Sequence, residues 1–519
     1  MTGTWSQGYI ADLEYNTGFY GDLAPGHLDL VCLLNSVQPP FREGGLRYCE
    51  LGSGQGLTTN ILAAANPGGT FHGVDFNPAH IARAREKAGA AGLDNVHFHE
   101  ASFDELSSEP SAFPDFDYIT LHGVYSWVSG DLRQAILRFI AQRLKPGGVV
   151  CVSYNALPGW TPALPVQYLL EGFAREAHGR SDVRINAAID RLSRVAEAGS
   201  PYLQDNPFVS RVAEMQNNKQ FTYLAHEYLT PNWQPFYHST VAHDMGRAKL
   251  DFAGSGSLLY NFPALCLSEG QRASRDEVAD PALRETLADY FTGRSFREDV
   301  FVRGRRALSP TDRDSRLARL SLALVSPRRE IDKLALDAPV GTVEPRSQVY
   351  TPMLDALAER PRSIGELLAL PEVRAHGEPS PAEVAGLLVA SGHVLPVDGA
   401  DRTAGRAAAL NAVLADDAIG ADNNWPGALA APRLGTGIKT SALELEVLAL
   451  TARFGADDPR ALAEAIWAPI KARGETLVQD GQPVQNEAEN LDLLTQRARL
   501  VLENKMPAWR MLGVLAQGA

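Results

Sequence analysis

The sequence predicts an α/β fold: a parallel, doubly wound sheet with a helical insertion and additional C-terminal domains. Two observations predict the sheet. Strand-like apolar runs alternate with helical segments over residues 46–160, the pattern of strands joined by crossover helices. The first run ends on a carboxylate and passes straight into glycines, "YCELGSGQGLTTN" at 48–60, which leaves bare backbone where a strand meets a helix N-terminus. A third observation predicts the insertion. Strand signals stop after residue 160 and return only near 250 and 297.

Taken in order, "LRYCEL" (46–51) is an apolar strand, Gly52, Gly54 and Gly56 form a tight loop, and "LTTNILAAA" opens a helix. "TFHGVDFNP" (70–78) is a second strand ending in Asp75, a carboxylate placed to accept both hydroxyls of a ribose. "NVHFHEASF" (95–103) is a third and "FDYITLHGVYSWV" (116–128) a fourth. "LKPGG" (144–148) reads as a turn, and "VVCVSYNALPGW" (149–160) as a fifth strand with its loop. Helices are expected at 79–92 and 131–143 between them.

The glycine loop is not a dinucleotide fingerprint. In G-x-G-x-x-G the third glycine would fall at Leu57, whereas the sequence places it at Gly56. A pyrophosphate would also meet Glu50, and two like charges at ~4 Å repel by several kcal/mol at intermediate dielectric. A ligand with positive charge and no phosphate suits the same carboxylate. S-adenosylmethionine, with its ammonium and sulfonium, is the better candidate. Glu50, Gly52, Ser53, Gly54, Gly56, Asp75 and Phe76 are its expected contacts.

At 519 residues the chain is too long for one core, so three or four domains are expected. A net charge of −14 argues against nucleic acid as a partner. The four cysteines have no zinc or C-x-x-C spacing, so no metal is expected and the chain reads as reduced and cytoplasmic. The first residues lack a basic region and an apolar run, so no secretory signal is expected, and no apolar stretch is long enough for a membrane span.

The glycine loop followed by "HGVYSWV" (122–128), "VSYNALPGW" (152–160) and "YLAHEYL" (223–229) resembles class I S-adenosylmethionine-dependent methyltransferases carrying a methyltransferase regulatory domain, including rickettsial protein-lysine methyltransferases that act on an outer-membrane protein. The resemblance covers roughly residues 9–305. It implies a Rossmann-like core, a helical dimer-forming segment and further C-terminal domains. It also implies that the segment before the first strand folds over the cofactor, which makes Tyr20 the candidate cover among Tyr9, Tyr15 and Tyr20. The sequence departs from the family after the third strand. Many relatives hold the adenine amino group with an aspartate there, but here Ser102 would accept that hydrogen bond and Phe103 would pack on the ring.

The acceptor should arrive at the ends of the fourth and fifth strands, where open α/β sheets bind ligands. Those ends carry His122, Tyr125 and Trp127, then Tyr154, Asn155, Pro158 and Trp160. Aromatic walls suit an amine, because they attract a cation and, by excluding water, favour its neutral form. His122 is also a candidate cofactor contact. Tyr125 and Trp127 fit equally as core aromatics. His97 and His99 share a strand face without a third ligand, and His226-Glu227 lacks the second histidine of a zinc hydrolase motif, with Thr230 in its place.

Residues 161–235 read as helices, notably 164–178 and 183–197, suited to a lid or a homodimer contact. Residues 236–308 supply a helix running into a strand at 241–257 and a strand at 296–304, expected to complete the same sheet together with the regulatory region. Residues 309–400 form a middle domain with winged-helix-like order, and 401–519 a mostly helical domain with helices at 404–416, 440–453, 458–472 and 486–503. The leading functional expectation is a protein-lysine N-methyltransferase. A methyltransferase for a small molecule or glycan, and a cofactor-binding regulatory or scaffold protein, stand as alternatives.

Overall fold

Alternating burial on the two faces of one sheet organises the chain. In the computed structural model, residues 10, 12–13, 17–41, 45–377, 379–398, 405–420, 427–455, 457–479 and 482–516 are described. The sheet contains β1 (Arg47–Leu51), β2 (Thr70–Asp75), β3 (Val96–Glu100), β4 (Phe116–Leu121), β5 (Leu144–Asn155), β6 (Leu250–Ser255) and β7 (Phe296–Arg303). Their spatial order is β3-β2-β1-β4-β5-β7-β6. β1 to β5 run parallel, and β7 lies antiparallel to both β5 and β6. The late strands at 250–255 and 296–303 thus join the sheet of residues 47–51.

Side-chain alternation explains the layers. Tyr48, Tyr118, Val149 and Cys151 pack on one face with the helices Leu57–Ala65 and Pro78–Ala90. Cys49, Leu51, Ile119 and Val150 pack on the other, against Ile136, Phe139 and Ile140 of the helix Gly130–Arg143. The register sets Glu50 opposite Gly73 of β2 and Thr120 of β4, so the carboxyl ends of the central strands open along one edge.

Two local expectations are corrected. β4 stops at Leu121, because Gly123 takes a left-handed φ of 66° and residues 122–128 leave the sheet. The "LKPGG" turn is absorbed into β5 as an irregularity: Phe116 pairs with Leu144 and Tyr118 with Val149, with Gly147 at φ 79° in the bulged stretch.

Residues 161–235 contain the helices Ala163–Glu176, Ser181–Glu197, Pro201–Gln204, Pro207–Asn217 and Phe221–Tyr228 and no strand. They bury their own cluster, including Leu170, Ile189, Phe208, Leu224 and Tyr228, beside Trp160 and Trp233. A bridge between Ala156 and Phe236 returns the chain to the end of β5. Further on, strands Ser321–Leu324, Arg362–Ser363 and Val394–Val397 form a small antiparallel sheet with the helices Ser347–Glu359 and Pro381–Ala390. The last part is mostly helical, with a short strand pair, Val478–Gln479 and Gln482–Pro483, and a longer hairpin, Gly427–Ala431 and Thr436–Thr440, that the sequence analysis did not anticipate. The hairpin docks on the first crossover helix, where Asn66 Nδ2 donates to the Gly435 carbonyl at 2.8 Å. No helix among the described residues is long and apolar enough to cross a membrane.

β7 carries a buried ionic cluster behind the sheet edge. Arg297 donates from Nη1 to both Asp289 oxygens at 2.7 and 2.8 Å and from Nε to Asp299 at 2.9 Å. Burial opposes ionisation of Asp299, yet Arg297 and His238 hold its carboxyl below the usual carboxylate range. Removing one partner leaves a buried charge uncompensated, which typically costs about 3–5 kcal/mol. Asp299→Ala should therefore lower the thermal midpoint markedly in calorimetry, and more than Arg303→Ala, whose side chain is partly exposed at the other end of the strand. Equal midpoints for the two variants would show that the cluster carries little of the stability.

Candidate active site

The end of β1 is built by its neighbours. Gly52 and Ser53 N–H groups donate to the Val74 carbonyl at 2.8 and 2.9 Å, which turns the chain back over β2. Gly52 has φ 77°, and a Cβ there would meet Val124 at 2.4 Å. Gly54, at φ 52°, has open space around it and donates its N–H to Asp75 Oδ2 at 2.9 Å. The loop is thereby tied to the carboxylate that ends the second strand.

Glu50 is 3% exposed and accepts a hydrogen bond from the Thr59 hydroxyl. Burial pushes its carboxyl up to about 7; the Thr59 hydrogen bonds oppose that rise and the nearby Asp75 charge adds to it. A negative charge held in this place favours a cationic ligand beside it. Asp75 also accepts from the Asn77 N–H at 2.9 Å, and His80 Nδ1 lies 3.3 Å away.

A cavity of about 400 Å³ opens over these groups. Phe76, Phe103, His122, Trp127, Asn155 and Trp160 are among the residues that line it. Tyr20 stacks on His122 with ring centroids 3.7 Å apart. Burial, then the charges of Glu50 and Glu227, push the Tyr20 hydroxyl up to about 12. Burial lowers His122 to about 4 against the pull of Asp22, so the ring is neutral at physiological pH. Ser53 Oγ, His122 Nδ1, Asn155 Nδ2 and Trp160 Nε1 are buried without hydrogen-bond partners. All four residues line the cavity. A glycine-walled, doubly acidic cradle with unsatisfied polar atoms fits a cationic nucleoside bearing hydroxyl and amino groups.

The structure brings together Tyr20, Glu50, Gly52, Ser53, Gly54, Asp75, Phe76, Ser102, Phe103, His122, Trp127 and Asn155 around this cavity. It leaves out four emphasised residues or alters their part. Gly56 lies behind the loop, where a Cβ would come within 2.7 Å of Phe98 and Ala84, so its role is close packing of helix on sheet. Tyr125 is fully buried, is not among the lining residues, and donates its hydroxyl to Asp244 at 2.9 Å. Tyr154 is likewise buried away from the cavity and donates to Asp299 at 2.5 Å, because its side of β5 faces the β7 ionic cluster. Ser102 lines the cavity, but its hydroxyl donates to Glu105 Oε2 at 2.9 Å and accepts from the Glu105 N–H in a capping box. Tyr9 and Tyr15 lie outside the described residues.

Among the other histidines, His99 Nε2 lies 3.0 Å from His72 Nδ1. No metal-holding group of three or more such side chains occurs among the described residues. The insertion contributes Arg211, Tyr223, Glu227 and Asn232 to the cavity wall; sequence reasoning gave no site role to Arg211, Tyr223 or Asn232, and read Glu227 as a helix-end contact of the insertion that could reach the acceptor site. The only signal was "YLAHEYL" itself, since a helical excursion carries no spacing that aims it at a distant loop.

Residues 49–150 match the family model of a methyltransferase domain, and residues 220–303 that of a predicted methyltransferase regulatory domain. The chain is 36% identical over 514 residues to an uncharacterized protein of Synechocystis sp., covering 98% of this chain and 100% of that one. It is 25% identical over 296 residues to an uncharacterized protein of Rickettsia prowazekii, covering 55% of this chain and 51% of that one. Among solved structures, PKMT2 from Rickettsia typhi in complex with AdoHcy superposes with a TM-score of 0.67 at 20% identity, over 96% of this chain and 99% of that one, and shows the same fold.

Glu50 gives opposite predictions for stability and binding. Its folded-state value lies above the ordinary carboxyl near 4.3, so its contribution to stability falls as pH rises from there through about 7. Glu50→Gln should therefore raise the melting temperature at pH 8 and leave it nearly unchanged at pH 4. The same variant should weaken S-adenosylmethionine binding tenfold or more, and wild-type binding near pH 7 should release protons, readable by calorimetry in buffers of different ionisation heat. Asp75→Ala, losing charged-acceptor hydrogen bonds worth about 1.5–3 kcal/mol each, should also weaken the cofactor at least tenfold. The glycine-walled acidic cradle, the two matched domains and the full-length relative agree: this chain belongs to the class I S-adenosylmethionine-dependent methyltransferases that carry a methyltransferase regulatory domain.

Proposed function

We propose that this methyltransferase acts on the side-chain amine of a lysine in a protein. One observation carries the reading: the cavity lining is rich in aromatic residues, with Trp127, Trp160 and Tyr223, and its histidine is held neutral and weakly basic. His122, at about 4, is a poor general base for a hydroxyl at neutral pH, and the cavity carboxylate Glu227 attracts a cationic amine more strongly than a neutral hydroxyl. An amine needs only to arrive desolvated and lose its proton. Lowering a lysine from about 10.4 to about 7.4 takes roughly 4 kcal/mol, which aromatic walls and water exclusion can supply. The sequence resemblance to protein-lysine methyltransferases supports the same acceptor.

In this reading Glu50 holds the amino-acid ammonium of the cofactor, Asp75 its ribose hydroxyls, and Phe76 and Phe103 flank the adenine. Bound S-adenosylmethionine supplies an activated methyl group on a sulfonium. The chain's part is to position and desolvate the amine. Tyr20 covers the pocket over His122, Trp127 and Trp160 shape the acceptor channel, and Asn155 offers its unpaired amide to substrate. The insertion at 161–235 would act as a lid or a dimer contact, with 309–400 and 401–519 as further domains of a cytoplasmic homodimer.

The test is release of S-adenosylhomocysteine with lysine-bearing proteins, their reductively dimethylated forms, and free sugars as candidate acceptors, followed by mass spectrometry of the products. Methyl-lysine should appear only on unblocked proteins. Trp127→Ala should raise the acceptor KM severalfold, whereas His122→Ala should lower turnover modestly through lost positioning. A methylated sugar, or abolition of turnover in His122→Ala, would point to an oxygen acceptor.

A further inference from the structure

Glu227 lies in the last turn of the helix Phe221–Tyr228 of the insertion and lines the cavity together with the glycine loop. It is 6% exposed, yet among the described residues nothing donates a hydrogen bond to its carboxylate or forms an ion pair with it. A buried carboxylate without partners is destabilising, so a protein that keeps one in its ligand cavity has a use for it. Around it stand Trp160 and Tyr223, surfaces that hold a cation on their faces. Tyr20, Glu50 and Glu227 line the same cavity, and the charges of both carboxylates reach the Tyr20 hydroxyl.

We propose that Glu227 is the catalytic base on the acceptor side: it receives the ammonium of the incoming lysine and removes one proton from it. The inference rests on the lysine reading above. An N–H bond of the ammonium breaks, an O–H bond forms on Glu227, and the electron pair stays on nitrogen as the lone pair the reaction needs. The proton passes to water when the product leaves, which restores the carboxylate.

Electrostatics agree with the geometry. Burial pushes the Glu227 carboxyl up to about 7, with Arg211 opposing, so it both ionises and accepts a proton near neutrality. The titratable and charged groups facing it are Arg211 on the helix Pro207–Asn217, Tyr223, His226 and Tyr228 on its own helix, and Tyr20 from the N-terminal segment. Burial lifts Tyr20 and Tyr223 to about 12 and Tyr228 higher still, and lowers His226 to about 4. These three tyrosines and His226 thus stay away from 7. Glu50 also titrates near 7, and its ionisation is read separately through cofactor binding.

The experiment compares wild type with Glu227→Gln and Glu227→Asp, all as the full chain. AdoHcy affinity by calorimetry should agree within about twofold across the three, which reports intact folding and an unaltered cofactor cradle. With AdoHcy bound, n-butylammonium, the lysine side chain as a fragment, should bind wild type at least tenfold more tightly than Glu227→Gln, with Glu227→Asp between them. On a lysine-bearing protein acceptor, wild-type kcat/KM should rise with pH and level off above about 7. The Glu227→Gln profile should instead keep rising about tenfold per pH unit toward the amine's own value near 10.4. Equal fragment affinity, or superimposable pH profiles, would overturn the role of Glu227 while leaving lysine methylation standing. Absence of methyl-lysine in wild type, with another acceptor methylated instead, would overturn the lysine reading and this inference with it.

Discussion

Glu50 sits at the end of a central strand with almost no water around it, and the chemistry of the site follows from keeping a carboxylate there. A parallel strand flanked by β2 and β4 and covered on both faces cannot hydrate a side chain at its tip. The loop that follows must fold back tightly enough to bond the Val74 carbonyl, which demands left-handed backbone at Gly52 and Gly54. The result is a cradle whose donors are main chain and whose charge is negative. It selects a cation with hydroxyls over a phosphate. Asp75 is placed by the same register, and its bond to the Gly54 N–H ties the end of the second strand to the shape of the loop.

The acceptor half is assembled differently. Its walls come from the loop after β4, the loop after β5 and the helices of the insertion, three segments far apart in sequence. The insertion packs around its own aromatic cluster and is stitched to the sheet where Phe236 meets Ala156. That arrangement lets a helix end present Glu227 to the cavity while the sheet presents Glu50. Two carboxylates, each raised toward neutrality by burial, line one cavity with Tyr20. The sheet edge beyond β5 is braced by the Arg297 cluster, which also occupies Tyr154. The hairpin near the C-terminus leans on the helix that starts at the glycine loop, so the last part of the chain supports the cofactor half directly.

Local pattern made much of the core legible. β1 to β3, the late strands 250–255 and 296–303, the helices of 161–235 and the C-terminal helices all follow hydrophobic period, glycine placement and caps, which act over a few residues. Glu50 and Asp75 were legible for the same reason, since a carboxylate at a strand end is a local signal with a fixed spatial meaning in a doubly wound sheet. The hairpin 427–440 was not, because its Ala- and Gly-rich strands owe their stability to packing on a distant helix rather than to strand propensity.

Which side of a strand end faces the ligand was decided only by the tertiary structure. Tyr125 and Tyr154 stand where aromatic acceptor residues are expected, but pleat and register turn them toward Asp244 and Asp299, while Trp127 and Asn155 nearby reach the cavity. Gly56 carries the motif yet serves packing, a distinction that depends on Phe98 and Ala84 arriving from other elements. Glu227 shows the limit most plainly. The sequence alone determined a glycine loop with carboxylates at two strand ends, because strand, glycines and carboxylates are contiguous or spaced by one crossover. The partner of that cradle lies more than 150 residues onward, on a helix whose direction is set by long-range packing, so only the folded chain could place it.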